Sequence, residues 1–251
     1  METYEVERAR QHDAAAVRVA ERSAERHEHE ATLAVPGGIA AADTPERVAK
    51  RIDRLARFYD GALVDDHAHE PVRMLEKIIN TVDFVGARYL DAGVAAARAV
   101  GRVNIRDAGG RLTGFGTGSL VSPALLLTNH HVLPDAETAR TSMIEFNYQD
   151  GVDGQQLASV IHGLDPDRFF LADAERDFAL VAVAARPEQL APFGFNRLIE
   201  AEGKAIIGEF VTIVQHPRGE KKQVALRENR IVDIPDRYLH YAADTEPGSS
   251  G

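Results

Sequence analysis

Residues 114–133 read GFGTGSLVSPALLLTNHHVL. Ser122 and Pro123 separate two short apolar runs, Leu112–Val121 and Leu125–Thr128, as a turn between antiparallel strands would. The second run passes straight into Asn129, His130 and His131. Side chains at that place sit on a loop held by a strand end, where scaffolds commonly carry reactive groups. On its own, a histidine after an apolar strand is more often structural than catalytic, so the surroundings decide.

Further short β-like runs surround this stretch: Val103–Arg106, Met143–Tyr148, Leu157–Ile161, Phe178–Val183, Ala205–Val214, Gln223–Ile231 and Tyr238–Ala242. Strands this short, closely spaced and without long intervening helices, predict a mainly β region over 101–251, built as antiparallel barrels or a sandwich.

Upstream of Gly101 the period changes. Residues 1–32 are rich in Ala, Glu and Arg and read as helix, with a thin apolar stripe of Val6, Val17, Ala20 and Ala24. So thin a stripe makes a poor core face, and predicts a helix that is solvated or waiting for a partner. Pro36, Gly37 and Gly38 break it. Thr44 and Pro45 start another helix, with a capping hydroxyl and a proline in the first turn. Val48, Ile52, Leu55 and Tyr59 share one face of it, and Asp60 and Gly61 end it. Further helices are predicted over 71–79 and over 87–99, the latter with Leu90, Val94 and Ala97 on one side. Residues 1–100 thus form a helical N-terminal region, expected to act as an adaptor or regulatory cover.

Composition narrows the function classes. The chain has 251 residues and is 44% apolar, enough to bury a core. Its formal charge of −10 gives no nucleic-acid footprint. It has no cysteine, which removes disulfides, thiolate zinc sites and cysteine nucleophiles together. The opening METYEVERARQHD lacks the apolar core of a secretory signal, and no apolar run is long enough to span a bilayer. The expectation is a cytoplasmic protein with no membrane association.

Two more segments carry chemistry: RDFALV, containing Asp177, and DTEPGSSG over 244–251, containing Ser250. A serine hydroxyl is a poor nucleophile without an adjacent base. A histidine can take its proton and return it to the leaving group, and a carboxylate can hold the imidazole in the tautomer this requires. His131, Asp177 and Ser250 follow in the chain order of the chymotrypsin-type arrangement, distinct from the orders of subtilisins and α/β-hydrolases.

Together the three segments resemble the trypsin-like serine peptidase family, in particular its cysteine-free bacterial branch that includes glutamyl endopeptidases. The Thr128, Asn129, His130, His131, Val132 run looks like the family's histidine motif, with His131 as the base and His130 on the variable position. Asp177 before Phe178–Val181 looks like its aspartate strand, and Gly248, Ser249, Ser250, Gly251 like its nucleophile turn. The resemblance implies two six-stranded antiparallel β-barrels and a serine endopeptidase working through an acyl-enzyme on polypeptide substrates. It implies no metal or organic cofactor. It also implies an oxyanion hole formed by the backbone N–H groups of Gly248 and Ser250.

The chain departs from the family pattern in three places. Ser249 stands where the trypsin group carries an acid that pairs with a newly cut N-terminus. Asp244, where trypsin-like members read Lys or Arg, and Thr245, where glutamyl-specific members carry a hydroxyl, point to different substrate-binding preferences. The sequence stops one residue after Ser250, which predicts a C-terminally incomplete second barrel, as in part of a longer multidomain protein. Two alternatives follow: a non-catalytic peptidase-like binding module, and an esterase using the same three residues. The histidine- and acid-rich runs 65–70 and 27–30 lack zinc-ligand spacing and read as a solvated linker between helices and as part of the N-terminal helix. Gln215–Gly219 reads as a turn of the second barrel, and the N-terminal helices as a surface for a protein partner.

Overall fold

The computed structural model describes residues 2–58, 87–226, 229–235 and 238–242. Its centre is a closed antiparallel barrel of β1 (Val100–Arg106), β2 (Leu112–Leu120), β3 (Leu125–Thr128), β4 (Met143–Phe146), β5 (Val160–Asp173) and β6 (Phe178–Val183), in the order β1-β2-β3-β6-β5-β4. Alternation along the strands turns Val103, Ile105, Leu120, Leu126, Ile144, Phe146, Val181 and Val183 into the interior, where all are buried. Phe146 stacks on Phe193 beneath the barrel, ring centroids 4.3 Å apart. Pairing of β1 with both β2 and β4 closes the cylinder and leaves this core no open edge.

The second half differs from expectation. Among the described residues it consists of two two-stranded sheets, β7 (Ile213–Gln215) with β8 (Gln223–Ala225) and β9 (Arg230–Asp233) with β10 (His240–Ala242), and no second barrel is formed. The long strand expected over 205–214 shrinks to its last residues. Gly208 takes φ +97° there, a left-handed conformation that stops an extended run. Ile206 and Ile207 turn instead into a second apolar cluster with Leu33, Ile39, Ala42, Val48 and Leu55.

The helical region forms as α1 (Glu2–Glu21), α2 (Ser23–Leu33), α3 (Pro45–Phe58) and α4 (Arg88–Arg98). Val48 and Leu55 of α3 are buried, with Ile52 packed against them, as their spacing predicts. The predicted stripe of α1 does not face inward: Val6 and Val17 are 60% and 55% exposed. On α4, Leu90 and Val94 are likewise exposed. Tyr59 and the helix predicted over 71–79 lie outside the described residues. No helix among the described residues is long and apolar enough to cross a membrane.

The Gln215–Gly219 run fastens the second half to the barrel. His216 is fully buried; its backbone N–H donates to Thr117 Oγ1 at 3.1 Å and its Nδ1 to Glu220 O at 2.9 Å. Arg102 lies over the rings of Phe115 and Tyr148, pairs with Glu145 at 2.7 Å and donates to the Gly219 carbonyl. Gly219 holds φ +71°, and a Cβ there would stand 2.3 Å from the Phe115 ring, so only glycine fits. Burial pushes His216 down to about 4 and Lys222 down to about 8. Between the ordinary histidine pKa of 6.5 and about 4, the unfolded chain binds a proton at this position that the fold refuses. Stability therefore falls as pH drops through this window, by about 3 kcal/mol from this residue. Urea unfolding across that range should show a slope about one proton shallower in His216→Asn; an unchanged slope would contradict the buried neutral imidazole.

Candidate active site

The register of β3 against β6 places Thr128 beside Ala179, so the end of one strand and the start of the other meet at the same rim of the barrel. Beyond Thr128 the chain leaves β3 in a helical turn, with the N–H groups of Val132 and Leu133 both donating to Asn129 O. Thr128 Oγ1 secures the turn's root by donating to Thr117 O at 2.7 Å. His131 is thereby carried over the rim to Asp177, which precedes Phe178, the first residue of β6.

The pair is tightly fixed. His131 Nδ1 lies 2.9 and 3.0 Å from the two Asp177 carboxylate oxygens, and the His131 backbone N–H donates to Oδ1 at 3.0 Å. A carboxylate only accepts, so the ring proton of neutral His131 sits on Nδ1 and leaves Nε2 with its lone pair. Asp177 adopts φ +50°, a left-handed conformation that aspartate tolerates better than most residues. Asn129 Nδ2 donates to its carbonyl at 2.8 Å and holds that backbone in place. Nε2 of His131 is buried and has no hydrogen-bond partner among the described residues. Such an atom is chemically a proton acceptor in waiting.

Of the residues singled out from sequence, the structure brings together His131 and Asp177. Asp244, Thr245, Gly248 and Ser250 lie outside the described residues. Asn129 stands out in the sequence only as part of the histidine motif, and the structure adds its clamp on the Asp177 backbone. A polar residue between an apolar strand and a histidine was the available signal. The 65–70 run also lies outside the described residues, and among those described no cluster of three His, Asp or Glu side chains is arranged to hold a metal. His27 Nδ1 bonds Ser23 O and His29 Nδ1 bonds Val232 O, roles that are local and structural.

Replacing the carboxylate tests the tautomer directly. In ¹⁵N-histidine spectra at about pH 8, His131 should appear as the Nδ1–H form in the parent and move toward Nε2–H in Asp177→Asn. Retention of the Nδ1–H form would show that something other than Asp177 fixes the ring. The variant should also lose about 1–3 kcal/mol of stability, because one acceptor serves two donors here.

Residues 116–251 match the trypsin-like peptidase domain. Over 191 residues the chain is 36% identical to "Uncharacterized protein y4fB" of Sinorhizobium fredii, a span of 71% of this chain and 29% of that protein. The chain thus spans under a third of the length of the curated relative it matches. Among solved structures it is similar to the serine endoprotease from Yersinia pestis, at 22% identity and a TM-score of 0.44, covering 67% of this chain and 53% of that one. It is also similar to the Rv3671c protease from M. tuberculosis, at 20% identity and a TM-score of 0.43, covering 69% and 72%. With the barrel and the His131–Asp177 pair on its rim, the match over more than half its length establishes that the chain belongs to the trypsin-like peptidase domain family.

Proposed function

We propose that the protein is a serine endopeptidase whose nucleophile is Ser250, with His131 as general base and then acid and Asp177 as the group that orients His131. The observation that carries this reading is the His131 ring itself: Nδ1 is committed to Asp177, and the opposite nitrogen is buried without a partner among the described residues. Structural His216 also leaves its Nε2 unpartnered among the described residues, but its Nδ1 meets only a backbone carbonyl. At His131 the fixing group is a carboxylate, which can stabilise the imidazolium that a base becomes.

In the reaction, Nε2 takes the Ser250 hydroxyl proton as Oγ attacks the scissile carbonyl. Asp177 stabilises the imidazolium that forms and stays ionised. The backbone N–H groups of Gly248 and Ser250 would receive the developing oxyanion, and loss of one such donor typically costs on the order of 100-fold in rate. His131 then returns its proton to the leaving amine, and water completes the cycle through the same base. Residues 243–251 would complete the substrate cleft together with the second half of the fold, and Asp244 or Thr245 would line its specificity pocket.

Exhaustive incubation with a small fluorophosphonate, read by intact mass, tests the assignment. One adduct is expected on the parent and none on Ser250→Ala, with labelling slowed at least about 100-fold in His131→Ala. A folded protein that takes no label even with α1 released from the barrel would favour the binding-module reading. A labelled protein that, with α1 released, cleaves activated esters but no polypeptide would favour the esterase.

A further inference from the structure

The N-terminal helix meets the barrel through an unusual face. Tyr4, Glu7, Gln11, Arg18 and Arg22 fall on one side of α1 and its exit, and all reach the peptidase domain, while Val6 and Val17 look outward. The contacts fall on residues next to those that carry His131 and Asp177, and on β9. Tyr4 Oη donates to Phe115 O at 2.9 Å. Glu7 Oε1 stands 3.7 Å from Nδ1 of His130, the neighbour of His131. Gln11 Nε2 donates to Ala174 O at 3.2 Å, three residues before Asp177. Arg18 lies over the Tyr238 ring, whose hydroxyl donates to Glu175 O. Arg22 grips both oxygens of buried Asp233 on β9 at 2.8 and 2.9 Å. The helix therefore runs from β2, past His130 and the residues just before Asp177, to the pair of β9 and β10.

The place it occupies suits an extended peptide. β3 pairs with β2 only at Ser119 and Leu120, so the Phe115 carbonyl lies on a stretch of β2 that β3 does not cover. An uncovered strand edge beside a reactive group is where a peptide adds by main-chain hydrogen bonding. Phe115 lies two residues before Thr117, whose carbonyl accepts from Thr128, and Ala174 three residues before Asp177; α1 side chains hold both carbonyls.

The bonding is also of a kind that lets go. Apart from Tyr4, the face is polar, as in interfaces that open and close. Glu7 Oε1 and His130 Nδ1 are both buried, and neither has a hydrogen-bond partner among the described residues, so their separation would break no hydrogen bond.

We propose that α1 is an internal strap seated in the polypeptide-binding groove, and that protein substrates reach His131 only after it leaves. The groove's purpose rests on the peptidase reading above; the strap does not. A variant of the full chain, Ala16→Pro with Arg22→Ala, places proline at an exposed helix-interior position and removes the Asp233 anchor, without touching a residue beside His131. Circular dichroism reports the melting of α1. Carbethoxylation mapped by mass spectrometry then reads access to each ring, with fully buried His216 as internal control. The expected result is at least a tenfold rise in His131 modification with His216 unchanged, and its reversal by a synthetic peptide of residues 2–21. If α1 has melted and His131 remains as protected as in the parent, the strap is refuted. If His131 opens but Ser250 takes no fluorophosphonate, the strap stands and the peptidase reading falls.

Discussion

Everything at the candidate site hangs on one carboxylate accepting from two donors of a single residue. Asp177 receives both the backbone N–H and the ring N–H of His131, so it sets the position of the loop and the orientation of the ring at once. That is possible because β3 and β6 are neighbours in register and their rim ends are adjacent. A slip of one residue would send Asp177 to the opposite face of the sheet. The apolar residues of these strands, Leu126 and Val181 among them, are buried in the barrel and make such a slip costly. Precision at the rim is thus inherited from packing in the interior, and the Asn129 clamp adds the last constraint on a backbone in a sparsely populated conformation.

The barrel and this pair were legible in the sequence because both follow from local signals. Short β-like runs bounded by turn residues gave β2, β3 and β6 nearly to the residue, and a polar loop after a strand end marked His131. The strands of the second half were less legible. Gly208 and the diversion of Ile206 and Ile207 into a cluster with α3 are tertiary effects, and an apolar run does not say which neighbour it will bury against. The resemblance supplied two barrels, of which one is formed among the described residues.

The thin apolar stripe of α1 is solvated, one of the two outcomes expected of it, and the helix docks by its other side. Its valines face solvent, and its docking face is made of tyrosine, glutamate, glutamine and arginine at helical spacing. A search for apolar periodicity cannot find such a face, because the partner groups are carbonyls and carboxylates of the barrel loops. A polar stripe at the same spacing, set beside a sequence with candidate catalytic groups on its loops, would have been the signal.

The contacts of α1 and its exit join residues far apart along the chain, 111 positions for Tyr4 with Phe115 and 211 for Arg22 with Asp233. During synthesis the helix emerges before the barrel, and its last anchor exists only when nearly the whole described chain is out. Local helix forms in microseconds, but closing so long a loop waits on the barrel that supplies the far end. The helix, though made before the barrel, is therefore seated after it, and the nascent barrel passes through a period in which its α1 contacts are unmade.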